Sequence, residues 1–181
     1  MDTPAVTAWH PGIVLPKDQL TPDLCASIKF ALNDEQALAL TCFGEARSRF
    51  EHGKGWVPNP VEALADVANV VANRLADPRW SKYGIKGICH QRRQYSCWDT
   101  LGGPDNFFTL MNRAQRLLAG ELPDELLSSL AVAHALDVLV DTLGQATHYF
   151  AHDAIDPPVW AVPPAYETER RFGHSFWAHV R

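Results

Sequence analysis

The sequence is short of basic runs, of long apolar runs and of cysteine, and each shortage removes a class of function. Sixteen Lys and Arg stand against twenty-one Asp and Glu, a formal charge of -5, with no extended basic cluster. The electrostatic footprint of a nucleic-acid binder is missing. No apolar stretch approaches the ~20 residues that span a bilayer, so no membrane insertion is expected. The amino-terminal "MDTPAVTAWHPGIVLPKDQ" has no basic region ahead of an apolar core, so no export signal is expected either. Four cysteines, Cys25, Cys42, Cys89 and Cys97, are too few and too scattered for a disulfide scaffold, and no CxxC pair suggests structural zinc. Cys89 and Cys97 either bridge a short loop in an oxidising space or stay free.

Two catalytic signatures are also absent. Without HExxH, a zinc site would have to be gathered from several elements. Without a GxSxG elbow or an oxyanion glycine cluster, Ser96 and Cys97 lack the setting of a nucleophile. His148 and His152 have the i, i+4 spacing of a helical metal pair, yet "ATHYFAH" reads as a strand, where positions four apart lie ~13 Å apart. No cofactor and no metal are therefore assigned.

What is there is an ordinary globular composition: 181 residues, 46% hydrophobic and 20% charged. That fits a single domain over 1–181, acting as a monomer. Pro4, Pro11, Pro16 and Pro22 read as an extended arm over 1–32, with the core over 33–181. Asn33 with Gln36 makes a capping box that starts a helix over 34–46, and Asn59, Pro60 and Glu62 repeat that grammar before a helix over 60–76. Phe107, Leu110, Met111, Ala114, Leu117 and Leu118 mark one face of a helix after Asp105, closed by Gly120. Pro123 opens a helix expected to run to Leu143 and Gly144. "RSRFEHGKGWVPNP" reads as a loop, while 146–152 and 171–179 read as two paired strands around the proline-rich "DPPVWAVPP". The fold class is mainly α with a small antiparallel β-element.

Chemistry concentrates at one point. Leu38, Thr41, Cys42 and Glu45 follow helical spacing, so the carboxyl of Glu45 continues a stripe that faces the interior. A carboxyl group in a dry setting resists ionisation, and one that holds its proton is a usable general acid. The alternative is a helix-terminal glutamate paired with Arg47, Arg49 or a distant cation. "QYSCW" offers Gln94 and Ser96 as hydrogen-bonding groups and Tyr95 and Trp98 as flat faces, the surface a sugar chain requires, or else aromatics that plug the core. His148, Tyr149 and Trp160 join that substrate-binding set.

"LALTCFGEAR", "VANVVANRL", "IKGICHQRRQYSCWD", "GQATHYFAH" and "RRFGHSFWAH" occur in the order and with approximately the spacing of the SleB-type cell wall hydrolases, the catalytic domain of spore-cortex lytic enzymes, over about 34–179. This resemblance implies a lysozyme-like fold related to goose lysozyme, acting on peptidoglycan glycan strands. It implies that Glu45, in the "GEA" motif, is the catalytic acid. A longer loop after that motif is the departure from the family pattern. Two-carboxylate glycosidases need a second acid ~5 Å or ~6.5–9.5 Å away; Glu51, Asp66, Asp99 and Asp153 are loosely placed candidates. The resemblance carries over one glutamate only, which favours a lytic transglycosylase forming 1,6-anhydroMurNAc, with Tyr149 and Ser96 orienting the substrate N-acetyl group. A water-using muramidase, a metal-dependent amidase and an inactive peptidoglycan-binding module are the alternatives. With no export signal in view, a phage endolysin is expected, held in the cytoplasm until a second protein opens the membrane.

Overall fold

The computed structural model describes residues 14–46, 48–51, 53–91, 94–98, 104–152 and 155–180, with the backbone alone described at 49–51, 56, 104 and 105. Along those residues run α1 (Pro22–Ala31), α2 (Asp34–Ala46), β1 (Ser48–Glu51), β2 (Gly55–Pro58), α3 (Val61–Ala76), α4 (Gly84–Cys89), α5 (Pro104–Leu118), α6 (Leu127–His134), β3 (His148–Ala151), β4 (Tyr166–Arg171) and β5 (His174–Ala178). The fold is mainly α with a small antiparallel sheet, as the sequence indicated.

The central element is α2. Its capping box forms as expected: the Gln36 amide donates to Asn33 Oδ1 at 2.8 Å and the Asn33 amide to Gln36 Oε1 at 3.1 Å. Ala37 through Phe43 and Ala46 are buried, so the helix is enclosed on nearly all sides. It packs against α3, α4, α5, α6 and a 3-10 turn over Ser96–Trp98. The face expected of α5 is also the observed one, with Phe107, Leu110, Met111, Ala114 and Leu117 buried. A second, smaller cluster of Val70, Leu143, Ala146 and Phe176 fills the space between α3 and the sheet.

Several expectations are corrected. The arm over 1–32 is helical over its last third: Thr21 caps α1 by accepting the Leu24 amide at 3.3 Å, Pro22 starts it, and Cys25 and Ile28 are buried. Proline at a first helical position begins a helix rather than forbidding one; residues 1–13 of that arm lie outside the described residues. The helix expected over 60–76 begins at Val61, with Pro60 at the cap position, which provides no side-chain cap. The helix expected from Pro123 to Leu143 is broken into a turn, α6 and a second turn over Leu136–Val138. Beyond that break Asp141 holds the chain in a turn: its carboxylate accepts the amides of Leu143 at 2.8 Å and Gln145 at 2.7 Å, local bonds that compete with helix there.

The sheet has the order β3-β5-β4, all antiparallel. β3 and β5 are the two strands expected, but 166–171 forms a third and Phe172–Gly173 form the turn, both at positive φ, as a tight hairpin requires. The stretch read as a loop after Glu45 is the hairpin β1–β2. Pairing of His148 with Trp177 and of Tyr149 with Phe176 fixes two faces. Tyr149, His174 and Phe176 share one face; His148, Phe150 and Trp177 share the other.

Candidate active site

Glu45 lies in the last turn of α2, half-buried, and both of its carboxylate oxygens are held. Oε1 accepts the Cys97 backbone amide at 2.8 Å and the Ser96 hydroxyl at 3.2 Å. Oε2 accepts the Tyr149 hydroxyl at 2.9 Å. Three donors thus converge on one carboxylate from two separate elements, the turn Ser96–Trp98 and strand β3. Ser96 is exposed, so the carboxylate is open to solvent on that side. The phenol of Tyr149 is pushed well above its ordinary range by burial and by the negative charge of Glu45, which keeps it a neutral donor.

Gly44 makes this clamp sterically accessible. A Cβ there would lie 2.5 Å from Cys97 Cβ and 2.8 Å from its Sγ. Only a residue without a side chain lets the turn come close enough for the Cys97 amide to reach Glu45. The turn is held from its other side by Trp98, which is 3% exposed. The Trp98 indole N–H donates to Thr41 Oγ1 at 2.8 Å, Lys29 Nζ donates to the Trp98 carbonyl at 2.6 Å, and His90 packs edge-on at 4.4 Å. Burial, with Lys29 and Lys86 nearby, pushes His90 down to about 4, so it is neutral near pH 7.

The sugar-facing wall expected from "QYSCW" and β3 is therefore mostly not a wall. Tyr95, 1% exposed, and Trp98 are core side chains with no face to offer a ligand. Gln94 is half-buried and Ser96 faces solvent. Tyr149 and Ser96, expected to orient the substrate N-acetyl group, spend their hydroxyl protons on Glu45 instead. His148 and Trp160 do meet, 5.2 Å apart, but on the sheet face opposite Tyr149, with Trp80 and Trp177 around them. Alternation along a strand separates neighbours in sequence, which is why the two halves of this set part. His148 is pushed down to about 4, first by burial and then by Arg74 and Arg79.

Among the candidates for a second carboxylate, Asp66 is buried and bound to Arg171 through both oxygens, an ion pair that ties α3 to β4. Burial pushes its carboxyl up, against the pull of Arg171. The Glu51 side chain, Asp99 and Asp153 lie outside the described residues, as do Arg47 and the Arg49 side chain. The four cysteines are free and buried, Cys89 and Cys97 included. Among the described residues no group of three or more His, Cys, Asp or Glu is gathered for a metal ion.

Comparison with known proteins decides the family. The family model described as Cell Wall Hydrolase matches residues 59–177. The chain belongs to the cell wall hydrolase family. As a member of it, the protein is a peptidoglycan-degrading enzyme, and the SleB-type resemblance read from its motifs holds. No curated protein and no solved structure matches the chain. The matched span of this cell wall hydrolase begins after Glu45, so Glu45 rests on its geometry. Sequence reading missed two parts of the site. A backbone amide such as that of Cys97 leaves no trace in a sequence, but Gly44 does, since glycine inside an apolar helix costs ~1 kcal/mol relative to alanine and calls for a steric reason.

Proposed function

We propose that this cell wall hydrolase cleaves the MurNAc–GlcNAc bond of peptidoglycan as a lytic transglycosylase, with Glu45 as the single catalytic acid and base. One observation carries the reading: the occupancy of the two carboxylate oxygens. A carboxylate has about four acceptor positions, two on each oxygen. Among the described residues, Oε1 has both filled, by Cys97 and Ser96, and Oε2 has one filled, by Tyr149. The remaining position on Oε2 is where a proton is carried and where a glycosidic oxygen is met.

From that position the protonated Glu45 gives its proton to the glycosidic oxygen as the bond to the MurNAc anomeric carbon breaks. The carboxylate then takes the proton of the C6 hydroxyl of the same MurNAc while O6 bonds to the anomeric carbon. The product is a 1,6-anhydro sugar, no water is consumed, and Glu45 ends protonated as it began. The substrate N-acetyl group stabilises the positive charge at the anomeric carbon, so no second protein carboxylate is required. Positioned proton transfer of this kind accelerates reactions by ~10²–10⁴-fold, and the clamp keeps the carboxylate in place through both transfers.

The test combines one variant and one product analysis. Glu45→Gln is expected to fold with an unchanged melting temperature and to lose lysis of purified sacculi. Mass spectrometry of the wild-type digest is expected to show muropeptides lighter by one water than hydrolytic ends. Near-normal lysis by the variant overturns the role of Glu45; hydrated reducing ends alone overturn the transglycosylase and leave a muramidase.

A further inference from the structure

We propose that Arg74, buried behind the site, is a positioning residue that sets the geometry of the clamp on Glu45; the inference rests on Glu45 being the acid. Arg74 is 2% exposed, and among the described residues no carboxylate forms an ion pair with it. Its Nε donates to the Thr147 carbonyl at 2.6 Å, while its Nη1 is buried and has no hydrogen-bond partner among the described residues. The guanidinium carbon lies 4.8 Å over the Trp80 ring and 5.1 Å over the Tyr95 ring. A buried cation with a single hydrogen bond and no counter-ion is unfavourable when taken alone. Something else in the molecule must gain from it.

The gain lies in which two segments Arg74 touches. Thr147 stands two residues before Tyr149, the donor to Oε2. Tyr95 directly precedes Ser96 and Cys97, the donors to Oε1. One side chain on α3 therefore holds the chain beside each half of the clamp, and the separation of the two halves is the width of what stands between them. Two neighbours on the same helix reinforce the strand side: Asn73 donates to the Ala146 carbonyl at 3.1 Å and Asn69 to the Val140 carbonyl at 3.3 Å. The loop side has no such second tether from α3 among these bonds, so there the flat guanidinium against the Tyr95 ring is the contact. A guanidinium is planar and stacks on rings, whereas an ammonium is a compact point charge. Lysine would keep the charge and a donor for Thr147 but lose the spacer.

The experiment uses Arg74→Lys, assayed on sacculi and crystallised. A misplacement of ~1 Å in a catalytic group costs ~10²-fold, so kcat is expected to fall by ~10- to 100-fold at nearly unchanged KM. The loss should not add to that of Tyr149→Phe in the double variant, because both act through the same carboxylate. The crystal structure should show the Cys97–Oε1 or the Tyr149–Oε2 contact lengthened beyond hydrogen-bonding distance. Wild-type activity per folded molecule, losses that multiply with those of Tyr149→Phe, or both contacts kept would each overturn the proposal. Should Arg74→Lys fail to fold, Tyr95→Leu removes the stacked ring and leaves the cation, with the same expected outcomes. The two readings fail separately: an active Glu45→Gln refutes the acid, whereas the clamp distances judge Arg74 whatever Glu45 does.

Discussion

At the scale of single residues the clamp on Glu45 makes unequal demands on its three donors. Tyr149 is the only one of the three on Oε2, so Tyr149→Phe frees the oxygen that carries the proton and should lower kcat by ~10²-fold, the order seen when one preorganised donor is removed. Ser96→Ala should cost less, within about tenfold, because the Cys97 amide still holds Oε1. Rates for both variants against a melting-temperature control check the order, and a larger loss for Ser96→Ala would contradict it. The histidines add a pH dependence. His90 and His148 take up protons at about 4 in the folded protein, against about 6.5 in an unfolded chain. Between those values the unfolded state binds more protons, so stability is full above about pH 6.5 and declines as pH falls toward 4. Thermal melts across that window should show the decline, and His148→Phe, which keeps a ring between Trp80 and Trp160, should flatten its slope. A slope that His148→Phe leaves unchanged would mean that His148 does not contribute.

At the scale of elements, Gly44 separates two rules that usually run together. At an open helical site Gly→Ala stabilises by ~1 kcal/mol, but here the added carbon would collide with Cys97. Gly44→Ala should therefore lower both melting temperature and activity, and Cys97→Gly in the same chain should restore much of each by removing the atoms it strikes. Failure of the second change to compensate would place the strain elsewhere. The same elements show what could be read from sequence. Where local chemistry decides, as in the Asn33–Gln36 box or the apolar face of α5, pattern and structure agree. Where tertiary contacts decide, the pattern is silent. β4, "YETERR", is an edge strand with five polar residues after Tyr166, so its apolar content gives no signal. Glu45 was legible because helical periodicity carries it inward; that Tyr95 and Trp98 line the core while His148 points away from Glu45 depended on packing and register.

At the scale of the whole molecule, the helical part and the sheet are joined by a buried charge pair, Asp66 with Arg171. Asp66 is the more deeply buried partner, and an uncompensated buried charge is destabilising by ~3–5 kcal/mol. Arg171→Met should thus reduce stability more than Asp66→Asn, which leaves no charge behind in the interior; chemical denaturation of both variants decides, and the reverse order would show that the pair is not the hinge of that interface. Among the described residues no helix is long and apolar enough to cross a membrane. We propose that the protein acts as an endolysin. This role expects lysis on expression in a bacterial cytoplasm only when a pore-forming protein is supplied, and lysis without one would refute it.

The opposed faces of β3 have an evolutionary consequence. A strand that slipped by one residue would present His148 to Glu45 in place of Tyr149. Asn73 and Arg74 grip the backbone at Ala146 and Thr147, immediately ahead of the strand. With the chain held at Thr147, a residue gained before His148 would bring the His148 imidazole to the catalytic carboxylate and the loss of His148 would bring the Phe150 ring, so either change removes the phenol. Homologous chains should therefore keep a constant length within the three residues after that grip.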